Sequence, residues 1–517
     1  MTHRKPNVID REHIPVAMLL GAALGAGLGL YLAPSAMVVF SLLGGVAGGA
    51  LVTWLMMNQP KRQVIAGRRV LDAAQPPATL PRRGSQNNSR VPLLPGQGGG
   101  SMPLHLGSVA LGPQHETGHI FMVGRSGSGK SQGVFELLET LRQRSDFRVV
   151  VLDRGGELMQ RLYRPNDLLF NPLDGRSVAW CHRAELRHLP ALTLARAFLP
   201  VPEDHKENAI WYEQGQLLLA TLWETCQSNE EVNHQLLGSH QQLQQWVQGS
   251  RAAQMFDDPR LAASVRFTLS PVTQCYDYLM DGGNPFSFFA YGQGQDPRWL
   301  YLPLIEEQTD LLKAPFSAAM DLIIRGVLSQ EENAGLKTAI VIDELGALQK
   351  LPSLKRLLAE GRKKGGCAIL GTQTEAQMNE VYGPDETRIL LQNTRTKLIL
   401  NCADPETANR MAETIGKCKV WQRGYNQPQQ NLFEQGGTHW SPTDDHVVPP
   451  YELQMLPDRI GYLLRGDESP VVKVQVPVCH LPRSTPRFVP RPQPIVQLEP
   501  ERPSLPLADP KRPQLEP

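Results

Sequence analysis

Two long apolar runs open the chain. Ile14–Leu32 and Met37–Met57 each have about the length that crosses a bilayer core, and residues 14–60 contain no Asp, Glu, Lys or Arg. Only "APSA" separates them, so the pattern predicts a transmembrane hairpin over residues 14–57. Gly21, Gly25 and Gly29, and the pairs Gly44/Gly48 and Gly45/Gly49, form small-residue ridges that let helices approach closely. Residues 58–103 are polar and rich in Pro, Gly, Asn and Gln, a linker or loosely held strap.

From Leu104 the pattern changes to short apolar runs bounded by turns. "HIFMVG" (119–124), "FRVVVLD" (147–153), "RWLYLPL" (298–304), "TAIVIDEL" (338–345), "CAILGTQ" (367–373) and "TKLILN" (396–401) read as buried strands. They alternate with helical segments, which predicts an α/β fold around a largely parallel sheet. Residues 182–295 interrupt it. Trp211, Leu218 and Leu222 recur at helical spacing, as do Leu236, Leu243 and Val247, so this stretch is expected to be an inserted all-α domain. The α/β parts are then 104–181 and 296–479. Over 480–517 Pro recurs every few residues, a tail that cannot bury a core and is expected to be disordered.

Composition narrows the setting. With 517 residues the chain can bury two or three cores, and its formal net charge of +1 leaves no global field to recruit a polyanion. Arg4, Lys5 and Arg11 precede the first apolar run, and Lys61, Arg62, Arg68 and Arg69 follow the second. Both ends of the hairpin, residues 1–13 included, are thus expected in the cytoplasm, with a very short turn outside and the chain multi-pass. A cleaved signal peptide ending near "LAPSA" is the rival reading; the second apolar run argues against it. Seven scattered cysteines form neither a C-x-x-C nor a zinc spacing, which fits a reducing compartment.

The chemistry is concentrated at three strand ends. Gly124-Arg125-Ser126-Gly127-Ser128-Gly129-Lys130-Ser131 fits G-x-x-x-x-G-K-[ST] in full, with a strand before and a helix after. Such a turn aims backbone N–H groups and a helix's positive end at phosphate oxygens. Lys130 is expected at the β/γ-phosphates and Ser131 on Mg²⁺, so ATP and Mg²⁺ are the expected ligands. Arg125 holds a variable position that tends to point outward. In "AIVIDELG", Asp343 is placed to hold Mg²⁺ and Glu344 to orient or deprotonate an attacking water. An acidic strand end that merely caps a helix is the plainer meaning. Gln373, ending the third strand, is a candidate sensor of the γ-phosphate, or simply a satisfied polar strand end.

"SLKRLLAEGRKKGGCAIL" (353–370) carries Lys355, Arg356, Arg362, Lys363 and Lys364. A basic run of this kind is usually a solvated face. A guanidinium presented by a neighbouring subunit would also neutralise transition-state charge, and Arg362 and Arg395 are the candidates.

These parts together resemble the type IV coupling proteins of bacterial conjugation, of the TrwB and TraD type, over about residues 14–480. The likeness rests on "GRSGSGKS", "VVVLDRGGEL", "AASVRFTL", "IVIDELGAL", "LLAEGRKKGG" and "GTQ", in that order. It implies a RecA-like P-loop ATPase domain in a hexameric ring on the inner membrane. Such a ring links a relaxosome to a type IV secretion channel and pumps single-stranded DNA with its relaxase. Lys130 and Ser131 then match the phosphate and Mg²⁺ positions, Asp343 and Glu344 the metal and water positions, Arg362 the finger and Gln373 the sensor. Arg154-Gly155-Gly156 departs from the family's turn after the second strand. DNA as cargo comes from the resemblance alone, since no base-reading motif is present. Two further readings stay open: a nucleotide-binding docking receptor that does no pumping, and a protein-export ATPase of the same fold.

Overall fold

The structure, a computed structural model, describes residues 64–72, 102–332, 335–425, 438–466 and 469–491. The predicted hairpin and residues 492–517 of the tail lie outside the described residues. Among the described residues no helix is long and apolar enough to cross a membrane.

In chain order the strands are β1 (Val64–Gly67), β2 (Val70–Asp72), β3 (Leu104–Leu106), β4 (Val109–Leu111), β5 (Ile120–Val123), β6 (Phe147–Arg154), β7 (Leu168–Leu169) and β8 (Leu300–Leu304). They continue with β9 (Lys337–Ile342), β10 (Gly366–Thr372), β11 (Thr396–Ile399), β12 (Lys417–Tyr425), β13 (Thr438–His446), β14 (Ile460–Leu464) and β15 (Val471–Gln475). Ten of them form one sheet in the order β2-β15-β14-β11-β5-β10-β9-β6-β8-β7. The seven from β11 to β7 are parallel. β14 runs antiparallel to β11 and β15, and β2 joins β15 in parallel.

The apolar runs singled out in the sequence are all strands of the parallel part, because strands covered on both faces must be apolar at nearly every position. Two short strands, β1 and β2, stand within the stretch read as a linker, pairing with β12 and β15. The sequence reading also passed over the β3–β4 hairpin and the β14–β15 extension.

Alternate residues sort into two layers. Ile120, Met122, Val149 and Val151 share a core with Val134, Leu137, Leu138 and Leu141 of the Lys130–Leu141 helix. Phe121, Val123, Val150 and Leu152 join the opposite core, which contains the long Thr309–Leu328 helix and the helical section. Between β7 and β8 no strand occurs among the described residues. Leu218, Leu222 and Trp223 of the Ala209–Thr225 helix are fully buried, and Trp223 Nε1 donates to the Tyr276 hydroxyl at 2.6 Å. Leu236 lies on a separate helix from Leu243: Asn229–Leu237 stops before Gly238, and Ser239 starts His240–Trp246 with a reciprocal capping box to Gln242.

Residues 480–491 of the expected disordered tail form a strap. Cys479 N, just before it, donates to Gln132 Oε1 at 2.8 Å, and Ser484 N to Gln160 O at 2.9 Å. Val489 N donates to Asp174 Oδ2 at 3.1 Å, and Arg491 Nη1 to Tyr278 O at 3.1 Å. The strap is held by bonds to side chains and to backbone carbonyls of the body, which needs no hydrophobic periodicity.

Helical section and sheet meet where the Phe288–Gln293 and Thr309–Leu328 helices touch backbone to backbone. A Cβ on Gly326 would stand 2.3 Å from Phe289 O, and one on Gly292 2.3 Å from Ile323 O. Gly326→Val is therefore expected to destabilise the fold by about 1–3 kcal/mol or more through overpacking. An unchanged melting temperature in calorimetry would contradict this close contact.

Candidate nucleotide site

β5 delivers the chain into the Gly124–Gly129 loop, and the loop into the Lys130–Leu141 helix. Gly129, the helix N-cap, sits at φ 108°, and a Cβ there would also lie 2.9 Å from Arg459 Cγ. The loop is pinned from both sides. Arg125 N donates to Asn401 O at 2.7 Å, and Arg459 N to Ser128 O at 2.8 Å. Lys130 Nζ donates to Gly124 O at 2.5 Å and to Arg125 O at 3.4 Å. Burial lowers its pKa, against the pull of the Glu344 and Asp343 carboxylates. The Arg125 guanidinium is paired with Asp458 at 2.7 Å.

Two strands along, β9 presents Asp343 and Glu344 just past its end. Burial pushes the Asp343 carboxyl up to about 6, with Lys130 opposing. Between β5 and β9 lies β10, and Gln373 follows its last residue. Gln373 Nε2 donates to Glu344 Oε2 at 2.9 Å. One cavity of about 480 Å³ is lined by Arg125, Ser126, Gly127, Gly129, Lys130, Ser131, Asp343, Glu344 and Gln373. Gly124 and Ser128 belong to the same loop without lining the cavity, and Ser128 is buried beneath it. Of the phosphate-loop and strand-end candidates, every side chain expected at the ligand reaches this space.

Arg362 and Arg395 do not. Arg362 lies in the Gly361–Lys364 turn before β10, and Arg395 immediately before β11. Both act on buried His119, which precedes β5 and whose pKa falls to about 4, through burial first and then these positive charges. They occupy the N-terminal edge of the parallel strands, separated from Gln373 by the length of β10, roughly 23 Å for seven residues. Within one chain neither arginine completes the cavity.

Sequence reasoning passed over Gln132, Arg154, Gly155 and Glu306, which also line it. The Arg154 turn had been noticed only as a departure from a family pattern. Asp153, at the end of β6, carries the same signal as Asp343, an acid closing an apolar strand. Its Oδ2 accepts from Met159 N at 2.7 Å.

The residues present fit a Mg²⁺-bound nucleoside triphosphate. Asp343 Oδ1 and Glu344 Oε1 are buried and find no hydrogen-bond partner among the described residues. A hydroxyl, Ser131, and a carboxylate, Asp343, suit Mg²⁺, which takes few protein ligands and fills its shell with phosphate and water oxygens.

A parallel sheet with a phosphate loop, an acidic strand end and an interposed glutamine defines a RecA-like P-loop nucleotide-binding protein. The chain belongs to the type IV secretion-system coupling proteins: the family model described as "Type IV secretion-system coupling protein DNA-binding domain" matches residues 103–477. It is 25% identical over 463 residues to coupling protein TraD of Escherichia coli (strain K12), covering 85% of this chain and 62% of TraD. This chain thus spans less than two thirds of that relative. Its fold is similar to that of the bacterial conjugative coupling protein TrwBdeltaN70 (26% identity, TM-score 0.68, 76% of this chain and 92% of that one). It also matches plasmid coupling protein TrwB in complex with ADP and Mg²⁺ (26% identity, TM-score 0.67, 75% of this chain and 91% of that one).

Burial raises the Asp153 carboxyl from an ordinary 3.8 to about 7. A carboxyl held above its unfolded value favours the fold at acid pH, and that contribution is lost as pH rises from about 4 to about 7. Asp153→Asn keeps an acceptor for Met159 N and removes the titration. The nucleotide-free variant is expected to lose less stability than wild type between about pH 5 and about pH 7, by up to about 1.4 kcal/mol per pH unit. Parallel stability curves in denaturant titrations would refute this.

Proposed function

We propose that this protein is a Mg²⁺-ATP-hydrolysing motor, anchored in the inner membrane by residues 14–57 and assembled as a homo-hexameric ring. It couples a relaxosome to a type IV secretion channel and drives single-stranded DNA with its relaxase toward that channel. One observation carries the reading: Gln373 Nε2 bonds Glu344 Oε2 at 2.9 Å, in the cavity that Lys130 shares. A water-directing carboxylate held by a strand-end amide is useful for hydrolysis and superfluous for simple docking.

Bound Mg²⁺ supplies positive charge at the phosphate oxygens. The protein does the rest. Lys130 exchanges its two loop carbonyls for the β/γ-phosphates, while the Gly124–Gly129 amides hold the phosphate chain. Ser131 and Asp343 hold the metal. Glu344 orients and deprotonates the attacking water with Oε1, its other oxygen fixed by Gln373. Gln373 continues β10, whose other end adjoins the Arg362 turn, so a change at the γ-phosphate is passed along one strand to the far edge of the sheet. From that edge Arg362 enters the site of the next copy; Arg395 is the alternative finger. Lys355, Arg356, Lys363 and Lys364 from six copies sum their fields on a DNA strand. TrwB, the relative solved with ADP and Mg²⁺, supports the ligand assignment.

The test is ATP hydrolysis by the full chain in lipid, with and without single-stranded DNA. Hydrolysis is expected to rise with DNA. Lys130→Ala is expected to lose Mg²⁺-ATP binding, and Glu344→Gln to bind but turn over about 10²–10⁴-fold more slowly. ATP binding without DNA-stimulated turnover would leave a docking receptor instead, and protein rather than DNA crosslinked in the pore would leave an export ATPase. Mixing Arg362→Ala with Glu344→Gln is expected to restore part of the activity. No recovery would remove Arg362 from the finger role or the ring from the account.

A further inference from the structure

Three cationic side chains line the nucleotide cavity: Arg125, Lys130 and Arg154. Arg125 is taken by Asp458, and Lys130 by the carbonyls of Gly124 and Arg125. The Arg154 guanidinium is exposed and makes no hydrogen bond or ion pair among the described residues. Glu306 lines the same space from just past β8 without pairing with it.

Strand register fixes where Arg154 stands. β6 pairs Leu152 with Ile342 of β9, and Asp343 N still donates to Leu152 O at 3.4 Å. Two residues further on, Arg154 falls level with Glu344, one strand spacing of about 4.8 Å away. Glu344 keeps an extended backbone, so both side chains leave the same face of the sheet. The turn that follows is pinned. Gly155 and Gly156 sit at φ 91° and 74°, a region that favours glycine, and Gly155 N donates to Leu304 O at 2.9 Å. The 480–491 strap lies against this turn: a Cβ on Gly156 would stand 3.2 Å from Arg487 Cγ. Burial leads the pKa shifts of Lys130 and Asp343, and Arg154 is among the smaller causes of both, so its charge reaches across the cavity.

The loop amides and Lys130 account for the inner phosphates. Glu344 sets where the attacking water stands, which puts the terminal phosphorus beside it. An unpaired guanidinium level with Glu344 therefore meets the oxygens of the terminal phosphate, the part of ATP that ADP lacks.

We propose that Arg154 binds the γ-phosphate within its own chain, a contact that sets ATP apart from ADP without help from a neighbouring copy. The contact rests on the Mg²⁺-ATP reading of the site and deepens it. Since Arg154-Gly155-Gly156 departs from the family's turn, the contact belongs to this chain and is not carried over from its relatives.

Binding rather than turnover tests this. Affinities for ADP and for a β,γ-imido analogue of ATP are measured with Mg²⁺ by calorimetry on the full chain in lipid. Arg154→Ala is expected to lower the ratio of analogue to ADP affinity about 10–100-fold, the size of one charge-assisted bond. Arg154 is exposed, so its truncation leaves the core intact. Arg154→Lys, which keeps the charge but loses the fork, is expected to recover part of the ratio. An equal fall for both nucleotides, or no change in either, overturns the proposal. The loss is expected to persist in an Arg362→Ala background; its disappearance there would mean that Arg154 acts through a neighbour's arginine, which also overturns it. A wild type that binds neither nucleotide brings down the site itself, whereas a wild-type ratio kept by Arg154→Ala removes only the arginine.

Discussion

β10 lies so close to β9 that a Cβ on Gly371 would stand 2.1 Å from the carbonyl oxygen of Asp343. That contact sets the geometry of everything chemical in this protein. With β10 wedged between β5 and β9, a phosphate loop, an amide and a pair of carboxylates arrive at one cavity from three adjacent strand ends. Ligands of open α/β sheets collect at such carboxyl ends, where successive connections diverge. Here the connection from β5 to β6 passes over β10 and β9, leaving the crevice between them.

The charges in that crevice are held in tension. Burial raises Asp343 and lowers Lys130, so each is displaced toward its neutral form. A divalent cation with a polyphosphate reverses both environments together: the acid gains a positive neighbour and the lysine a negative one. Coulombic coupling between Lys130 and the two carboxylates beyond β9 already links them. The site is thus electrically incomplete in a way that matches one class of ligand.

Much of this was legible in the residue pattern because parallel strands buried on both faces have a plain signature. "HIFMV", "RVVVL" and "AIVI" announce themselves, and glycines around Lys130 mark the turn. Other features depend on partners remote in sequence. β1 and β2 are short and largely exposed, and exist because β12 and β15 are beside them. The 480–491 strap is ordered by Asp174, Gln160 and Gln132 rather than by its own periodicity. Glu306 reaches the nucleotide cavity because β8 neighbours β6, and strand order is not written in local pattern.

The ammonium of Lys130, lodged on the carbonyls of Gly124 and Arg125, also bears on selectivity. A small anion entering the cleft must displace the same two acceptors with fewer oxygens. A polyphosphate engages the lysine while its other oxygens collect the loop amides, so a long anion offsets the loss of those two bonds with more contacts than a short one can. The resting lysine thus weights the cleft toward chains of phosphate over single tetrahedral oxyanions.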